Sequence, residues 1–151
     1  MINLPAYDFL TNESGFDYEF ESTGPKGIIK KVAHFSELSP NIYNFGFGDF
    51  DPETKKVSDA VVSNNGDREK IMATVGQIIY NFTEYRPAAL IFIKGTVDAK
   101  TRLYQMALNK HWENIDPVFE VWGWIKGHWE PFRKNTNYEQ FLGRRKASFS
   151  L

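Results

Sequence analysis

The spacing of the apolar residues changes once along the chain, at Asn64–Asp67, and this change constrains the fold more than any other feature. Before it, apolar and polar residues alternate with a period of two, as in Phe16–Glu21 and Tyr43–Gly48, which predicts strands with one buried face. After it, apolar residues recur at helical spacing from Ile71 to Phe82. The sequence therefore predicts an all-β first half and a second half that mixes helices with strands.

The first half is predicted to be a four-stranded antiparallel meander. Glycine and proline in Thr23–Gly27, and Asx residues with proline in Asp49–Thr54, mark turns between the strands. The predicted strands are Phe16–Glu21, Ile28–Phe35, Tyr43–Gly48 and Val57–Val62.

In the second half, Asn65, Gly66 or Asp67 caps the first predicted helix, and Pro87 bars its continuation. The later predicted elements are a buried strand at Ala88–Ile93, a helix capped by Asp98 and ended by Pro117, a strand at Val118–Ile125, and a short helix capped by Asn135–Asn137 that runs through Arg145. The order ββββαβαβα predicts an α+β fold over residues 1–151. We expect one domain, in which the meander extends into a mixed sheet with the helices packed on one face.

Composition excludes several classes of function. The chain has no cysteine, which excludes a disulfide framework, an iron–sulfur cluster and a thiolate zinc site. Its three histidines lie on different predicted elements, without a metal-binding spacing, so we expect no metal and no cofactor. Neither an export leader nor an apolar run of about 20 residues is present, and we expect a cytoplasmic protein without membrane contact.

Six short blocks stand out along the chain: Gly24–Gly27, Asn44–Asp49, Ser63–Asp67, Ala73–Val75, Lys94–Thr96 and Lys100–Tyr104. Together they resemble a family of small uncharacterised bacterial proteins, a domain of unknown function. The sequence departs modestly from the form of that family at Val97 and Lys100. The resemblance spans almost the whole chain; it implies a shared fold and brings no activity with it.

The segment that leaves the buried strand through Gly95 and enters a helix is a candidate anion site. Helix N-termini bind anions, and basic side chains add charge there. The polar loop before the first helix is a second candidate for the mouth of a ligand site. The candidate residues are Lys94, Gly95, Thr96, Lys100, Arg102, Asn65 and Asp67. The alternative is a plain turn with helix caps and solvated lysines, in which Arg102 forms a structural ion pair with Asp67 or Asp98.

Aromatic residues cluster after the last predicted strand, interleaved with basic residues. Trp122 and Trp124 share one face of that strand, and Trp129 follows. With Arg144 and Arg145 of the basic tail they form a candidate interaction surface. Packing in the core and stacking on the bases of single-stranded nucleic acid are the two alternatives.

Charge is segregated along the chain. Residues 1–67 hold five basic and eleven acidic side chains, whereas residues 68–151 hold 13 basic and 8 acidic side chains. Segregated charge favours self-association or a charged partner, although the two halves can also neutralise each other within one molecule.

The leading hypothesis is therefore a cytoplasmic interaction module that binds a protein partner or itself. The alternative is a small phosphate-substrate enzyme or a nucleic-acid-binding protein, including a toxin–antitoxin or defence component. In that alternative, Lys94, Lys100 and Arg102 hold the anion and Asp49 or Asp67 acts as base or metal ligand. The sequence does not decide whether any catalysis occurs.

Overall fold

The computed structural model describes residues 4–58 and 63–147. Within these residues the chain forms one sheet of nine strands and two helices. The strands are β1 (Leu10–Thr11), β2 (Asp17–Gly24), β3 (Gly27–Ser39), β4 (Ile42–Asp51), β5 (Lys56–Ser58), β6 (Leu90–Ile93), β7 (Phe119–Ile125), β8 (His128–Pro131) and β9 (Gln140–Arg145). The helices are α1 (Arg68–Tyr85) and α2 (Asp98–Ile115).

The strand order across the sheet is β1-β2-β3-β4-β6-β9-β7-β8, and β5 pairs with β4. Among these strands, every paired neighbour is antiparallel except β4 and β6, which run parallel. Parallel neighbours need a long crossover connection, and α1 lies in that connection. The predicted α+β fold, with an N-terminal antiparallel meander that extends into a mixed sheet, is confirmed.

Both helices pack on the same face of the sheet, which we call the helix-covered face. The ring of Phe82 in α1 stacks on Phe35 of β3 with 3.8 Å between the ring centroids. Tyr104 in α2 meets Phe47 of β4 edge-on, with the centroids 6.1 Å apart. Since side chains alternate along a strand, Phe45 points to the same face as Phe47 and is buried with it. Each such ring contributes about 1.5–3 kcal/mol through burial, so this face holds the hydrophobic core.

An apolar cleft of about 120 Å³ lies between the two helices and the sheet. Met72 and Ile79 of α1 line it on one side, Leu108 of α2 on the other, and Leu4 of the N-terminal segment closes part of it. Both helices and the sheet therefore contribute apolar side chains to its walls.

Two predicted elements need correction. The short helix predicted to run through Arg145 is wrong, because Gln140–Arg145 is strand β9 between β6 and β7. Phe141 and Arg145 are buried whereas Arg144 is exposed, and the pairing with β6 and β7 overrides the cap-like sequence at Asn135–Asn137. Asp98 is the first residue of α2 rather than its cap, which is Val97. Asp67, one of three residues predicted to cap α1, is its N-cap residue.

Strand β8 was not predicted, although its hairpin with β7 has a clear local cause. Lys126 and Gly127 connect the two strands with φ angles of 51° and 78°. Two successive positive φ angles are typical of the type I′ turn, whose twist matches that of paired strands. Of the strand predicted at Val57–Val62, the part within β5 is observed, and residues 59–62 lie outside the described residues.

Gly123 of β7 allows the ring of Tyr138 to lie directly against the strand. A Cβ atom at position 123 would lie 2.2 Å from that ring. The ring is held in place, because the Tyr138 backbone N–H donates to Gln105 at 3.0 Å and the hydroxyl donates to Glu130 at 2.8 Å. The same hydroxyl accepts the backbone N–H of Arg133 at 3.0 Å. Packing therefore requires glycine here.

We expect Gly123→Ala to lower the free energy of unfolding by about 1–3 kcal/mol, as overpacking of a tight interior does. Urea denaturation followed by circular dichroism measures the change. Gly143→Ala on the neighbouring strand is the matched control, because its Cβ would meet only the Glu120 carbonyl oxygen at 3.7 Å. Equal losses of stability in the two variants would contradict the packing argument.

Glu130 of β8 is the acidic member of an ion-pair cluster. Its Oε2 accepts the Arg133 Nε–H at 2.7 Å and the Tyr138 hydroxyl at 2.8 Å. The Arg133 guanidinium above all, and then the Tyr138 hydroxyl, hold the pKa of Glu130 below its ordinary value. A pKa that is lower in the folded than in the unfolded chain stabilises the fold above the unfolded value, and this stabilisation disappears as the pH falls through the folded value.

We therefore expect Glu130→Gln to lower Tm near neutral pH, with the difference from the unmodified chain shrinking as the pH falls below the ordinary glutamate pKa of about 4.3. Thermal unfolding between about pH 3 and pH 8 tests this. Glu139→Gln, at an exposed residue without an ion pair among the described residues, is the control and is expected to leave Tm unchanged at neutral pH. A constant difference in Tm between Glu130→Gln and the unmodified chain at every pH would show that Glu130 does not act through its charge.

Candidate functional site

A small polar cavity lies where β3, β4, the loop before α1 and the start of α2 meet. Its volume is about 50 Å³. Its polar and charged lining residues include Lys31, Ser63, Asn65, Asp67, Arg68 and Lys100. We call it the basic cavity. It brings together Asn65, Asp67 and Lys100, which come from the two sequence segments predicted to bind a ligand.

Asn65 is buried and uses its whole amide group to hold the chain together. Its Nδ2 donates to Ser22 Oγ and to the Gly27 carbonyl, both at 3.1 Å, and its Oδ1 accepts the Lys26 backbone N–H at 2.7 Å. A Cβ atom at Gly24 would lie 1.9 Å from the Asn65 carbonyl oxygen. The turn between β2 and β3 is thus fastened directly to the loop that begins α1.

Lys31 of β3 supplies a buried cation that was not among the ligand residues predicted from the sequence. It is 3% exposed, and its ammonium group forms an ion pair with Asp49 and donates to Ser63 Oγ at 2.6 Å. The signal was present in the sequence, because Lys31 falls in register with Ala33 and Phe35 on the buried face of its strand. A lysine at an inward position of an alternating strand indicates a paired or functional charge.

Lys100 of α2 supplies the second buried cation, and it is also 3% exposed. Its ammonium group donates to the Phe47 carbonyl oxygen and lies 4.3 Å from the centroid of the Phe47 ring. Gly95 makes this approach of α2 possible, because a Cβ atom there would lie 2.4 Å from the Thr101 nitrogen. The Gly95 N–H also donates to Thr101 Oγ1 at 3.1 Å. The glycine turn therefore seats the first turn of α2 beside β4.

Asp67 occupies the N-cap position of α1, yet its side chain forms no capping hydrogen bond. Its Oδ2 instead accepts the hydroxyl groups of Tyr7 and Ser22, both at 2.5 Å. Its Oδ1 is buried without a hydrogen-bond partner among the described residues. The carboxylate thus joins the N-terminal segment to β2 at the edge of the basic cavity.

The other four predicted ligand residues do not line the basic cavity, and one of them, Gly95, is buried beside the first turn of α2. Lys94, Thr96 and Arg102 are exposed, and the cavity wall does not include them. Within the described part of the chain, Arg102 forms no ion pair with Asp67 or Asp98, so the structural alternative raised for it is not observed.

The second candidate site is the face of the sheet opposite the helices, which we call the open face. Residues paired across neighbouring strands point to the same face. The register pairs Asn44 with Phe92, Phe92 with Leu142, and Leu142 with Trp122. Because Phe45, next to Asn44, points into the core, this row of side chains crosses four strands on the open face.

The three tryptophans predicted to form an interaction surface lie together on the open face. Trp124 pairs with Trp129 across the β7–β8 hairpin, and their ring centroids are 5.2 Å apart. Trp129 also meets Phe92 edge-on at 6.3 Å. All three tryptophans are partly exposed, so neither complete burial in the core nor full exposure describes them.

The two arginines predicted with them lie on opposite faces of β9. Arg144 is exposed, and its guanidinium lies 5.4 Å from the centroid of the Trp122 ring. Arg145 is buried, and it donates to the Tyr80 carbonyl at 2.6 Å and to Thr83 Oγ1 at 3.3 Å. Arg144 therefore belongs to the open face, whereas Arg145 fastens β9 to α1.

Exposed apolar side chains also lie near the other edge of the open face. Leu10 and Ile28 are 69% and 68% exposed. Val57 is 41% exposed and pairs with Phe50, over whose ring Lys30 places its ammonium group at 4.8 Å. Charged side chains of β2 and β3 lie on the same face between these residues and the tryptophans, so the apolar surface of the open face is not continuous.

We expect Asn65→Ala to lower the free energy of unfolding by about 2–3 kcal/mol, because it leaves buried donors and acceptors without partners. Asn64→Ala, at the exposed neighbouring residue, is expected to change it by about 0.5 kcal/mol or less. Chemical denaturation of both variants provides the comparison. A loss in Asn65→Ala no larger than that in Asn64→Ala would show that these three hydrogen bonds do not secure the loop.

The described residues form neither a metal-binding cluster nor a membrane-spanning helix. Within residues 4–58 and 63–147, no group of three or more histidine, cysteine, aspartate or glutamate side chains is arranged to hold a metal ion. The helices of the described chain are too short or too polar to cross a membrane. Residence in the cytoplasm stays a prediction.

A model for a family of unknown function (DUF6934) matches residues 3–146, which is nearly the whole chain. None of the curated proteins and none of the solved structures matches the chain. The function of this family is unknown, so the evidence on the two sites is their own geometry.

Proposed function

Since the chain belongs to the DUF6934 family of unknown function, we propose its role from its geometry: it is a protein-binding module that pairs with a second copy of itself through the open face. The observation that carries this proposal is that two helices cover one face of the sheet while the opposite face presents partly exposed tryptophans. Aromatic residues and arginine are enriched at the centres of protein interfaces.

The distribution of charge favours a second copy as the partner. Residues 1–67 carry the acidic excess and residues 68–151 the basic excess. In the sheet, β1–β5 form one half and β6–β9 form the other. The acidic excess and the basic excess therefore lie in neighbouring halves of the same sheet. A face-to-face pair whose two-fold axis runs parallel to the strands places the acidic side of each copy over the basic side of the other.

Charged side chains on the open face fit this arrangement, although Glu19 pairs with Lys30 at 3.0 Å and Arg144 with Glu120 at 3.4 Å within one copy. Asp17, Glu19 and Glu21 of β2 alternate with buried residues and therefore lie on the open face near its acidic edge. Arg144 lies on the other side of the sheet, beside Trp122. The proposed two-fold arrangement brings Arg144 towards β2 and β3 of the second copy.

Sedimentation equilibrium over a wide range of protein concentrations tests the proposal. We expect a monomer–dimer equilibrium in which Trp122→Lys raises Kd at least about tenfold, because it replaces a large aromatic contact surface with a hydrated charge. Met106→Lys is the matched control, since Met106 is 49% exposed on α2 and outside the open face. It is expected to leave Kd unchanged.

Two further measurements distinguish the partners. Tryptophan fluorescence is expected to shift to shorter wavelength as dimer forms, and added salt is expected to weaken the dimer because complementary charges are screened. A chain that stays monomeric at every concentration, or that dimerises equally well with Trp122→Lys, overturns the proposal. A monomer that binds labelled single-stranded RNA through Trp122 would identify nucleic acid as the partner instead.

A further inference from the structure

The apolar cleft between the two helices and the sheet has a volume of about 120 Å³. Protein interiors are close-packed, and most voids in them are no larger than a water molecule. A water molecule needs only about 10–15 Å³ of such volume, whereas a dry apolar cavity of about 150 Å³ accommodates a benzene molecule. The cleft is therefore close in size to a space that holds one small aromatic ring.

The walls of the cleft are almost entirely apolar. Ile91 and Phe141 line it from the sheet and are buried, whereas Ile79 of α1 and Leu108 of α2 line it and are partly exposed. Apolar surface that stays exposed gains free energy when a ligand covers it. Concave sites with mainly apolar walls and few polar groups are the usual binding sites of small molecules.

The lining of the cleft suits a neutral ligand. Among the described lining residues, none is an aspartate, glutamate, lysine or arginine. The polar side chains are those of Tyr104, whose ring packs edge-on against Phe47, and His111. Beside His111, Lys110 of α2 forms an ion pair with Glu69 of α1, so these two charges offset each other. A charged ligand would have to leave water without a matching charge in the lining, which is costly.

Aromatic rings in the walls favour an aromatic ligand over an aliphatic one. Tyr104, Phe119 and Phe141 all line the cleft and are buried. Aromatic rings that meet edge-on gain free energy beyond that of the buried area. Met72 also lines the cleft, and thioether sulfurs make favourable contacts with the edges of rings.

Helix α2 bends where it borders the cleft. His111 has φ and ψ angles of −112° and 18°, which depart from helical values. Sharp bends in helices usually occur at proline or glycine, or where another group is inserted, and α2 contains neither proline nor glycine. Since Ile115 beyond the bend also lines the cleft, the bend helps to determine the shape of the space.

We propose that the apolar cleft binds one neutral molecule with a single aromatic ring, about the size of toluene. The ring contacts Met72, Phe119 and Phe141, and His111 offers an imidazole nitrogen to a hydroxyl substituent on the ring. The cleft lies on the helix-covered face, so the site is separate from the proposed dimer contact on the open face.

NMR of the full chain, with the methionine methyl groups labelled with ¹³C, tests this proposal during titration with toluene. We expect a saturable shift of the Met72 methyl resonance. Met106 is the matched control, because it is 49% exposed on α2 and does not line the cleft, and its resonance is expected to stay in place. Toluene near saturation is also expected to raise Tm by about 2 °C or more, because it stabilises the folded chain by mass action.

Benzoate, titrated in the same way, distinguishes a neutral ligand from a charged one. It has the same ring as toluene and carries a carboxylate in place of the methyl group. We expect it to leave the Met72 resonance unchanged, because the carboxylate would lose its hydration without gaining a cationic partner from the lining.

A cleft-filling variant tests the location of the site independently. We expect Ala107→Leu, which adds a branched side chain to the wall of the cleft, to weaken toluene binding at least about tenfold, because it occupies the space of the ligand. Ala99→Leu makes the same change at an exposed residue of α2 outside the cleft. It is expected to bind toluene as the unmodified chain does.

Circular dichroism first establishes which variants fold. If Ala107→Leu does not fold, the comparison of toluene with benzoate at Met72 in the unmodified chain decides the question. The proposal is overturned if toluene causes no saturable shift of Met72 up to its solubility limit, or if benzoate shifts Met72 as toluene does. Equal toluene binding by Ala107→Leu and Ala99→Leu also overturns it, because the ligand would then lie outside the cleft.

Discussion

The stacking of Phe82 on Phe35 fixes the side of the sheet on which the helices lie, and both candidate sites follow from that choice. Alternation along β3 and β4 places the aromatic residues on one face, and α1 buries its apolar stripe against them. The connection from β6 through α2 brings the second helix to the same face. Two helices on one face leave nine strands with a second face that no described helix covers.

The same arrangement explains why charges are buried at one place. The loop before α1 is fastened to the β2–β3 turn by Asn65, and Gly95 lets the start of α2 approach β4. The beginnings of both helices therefore converge over the ends of two strands. Lys31 and Lys100 are enclosed there because backbone and side-chain contacts position the elements that carry them.

The sequence correctly predicted the elements with clear apolar patterns. The prediction failed where a short segment was compatible with both a helix and a strand. The meander and both long helices follow from periodic apolar patterns, and the strand between the helices follows from a short continuous apolar run. Gln140–Arg145 is only six residues long, and its cap-like lead-in outweighed a weak period of two. Its place between β6 and β7 depends on pairing with strands distant in sequence, which local pattern does not contain.

The two candidate sites could be predicted from the sequence to different degrees, because only one of them depends on contacts between distant segments. Trp122 and Trp124 share a face by alternation alone, so their proximity needed no tertiary information. The basic cavity joins β3, the loop before α1 and α2, and only the fold brings Lys31 to Lys100. Arg102 has the more conspicuous sequence position, but two residues along a helix amount to about 200° of rotation, so the turn that buries Lys100 directs Arg102 to solvent.

The alternation of side chains along β4 places the two candidate sites on opposite faces of the sheet. Phe45, Phe47 and Asp49 of β4 face the helices and the basic cavity, while Asn44 and Gly46 lie on the open face. The basic cavity and a partner on the open face therefore contact different side chains of the same strand. Pairing with β3 and β6 holds β4 in place between these two surfaces.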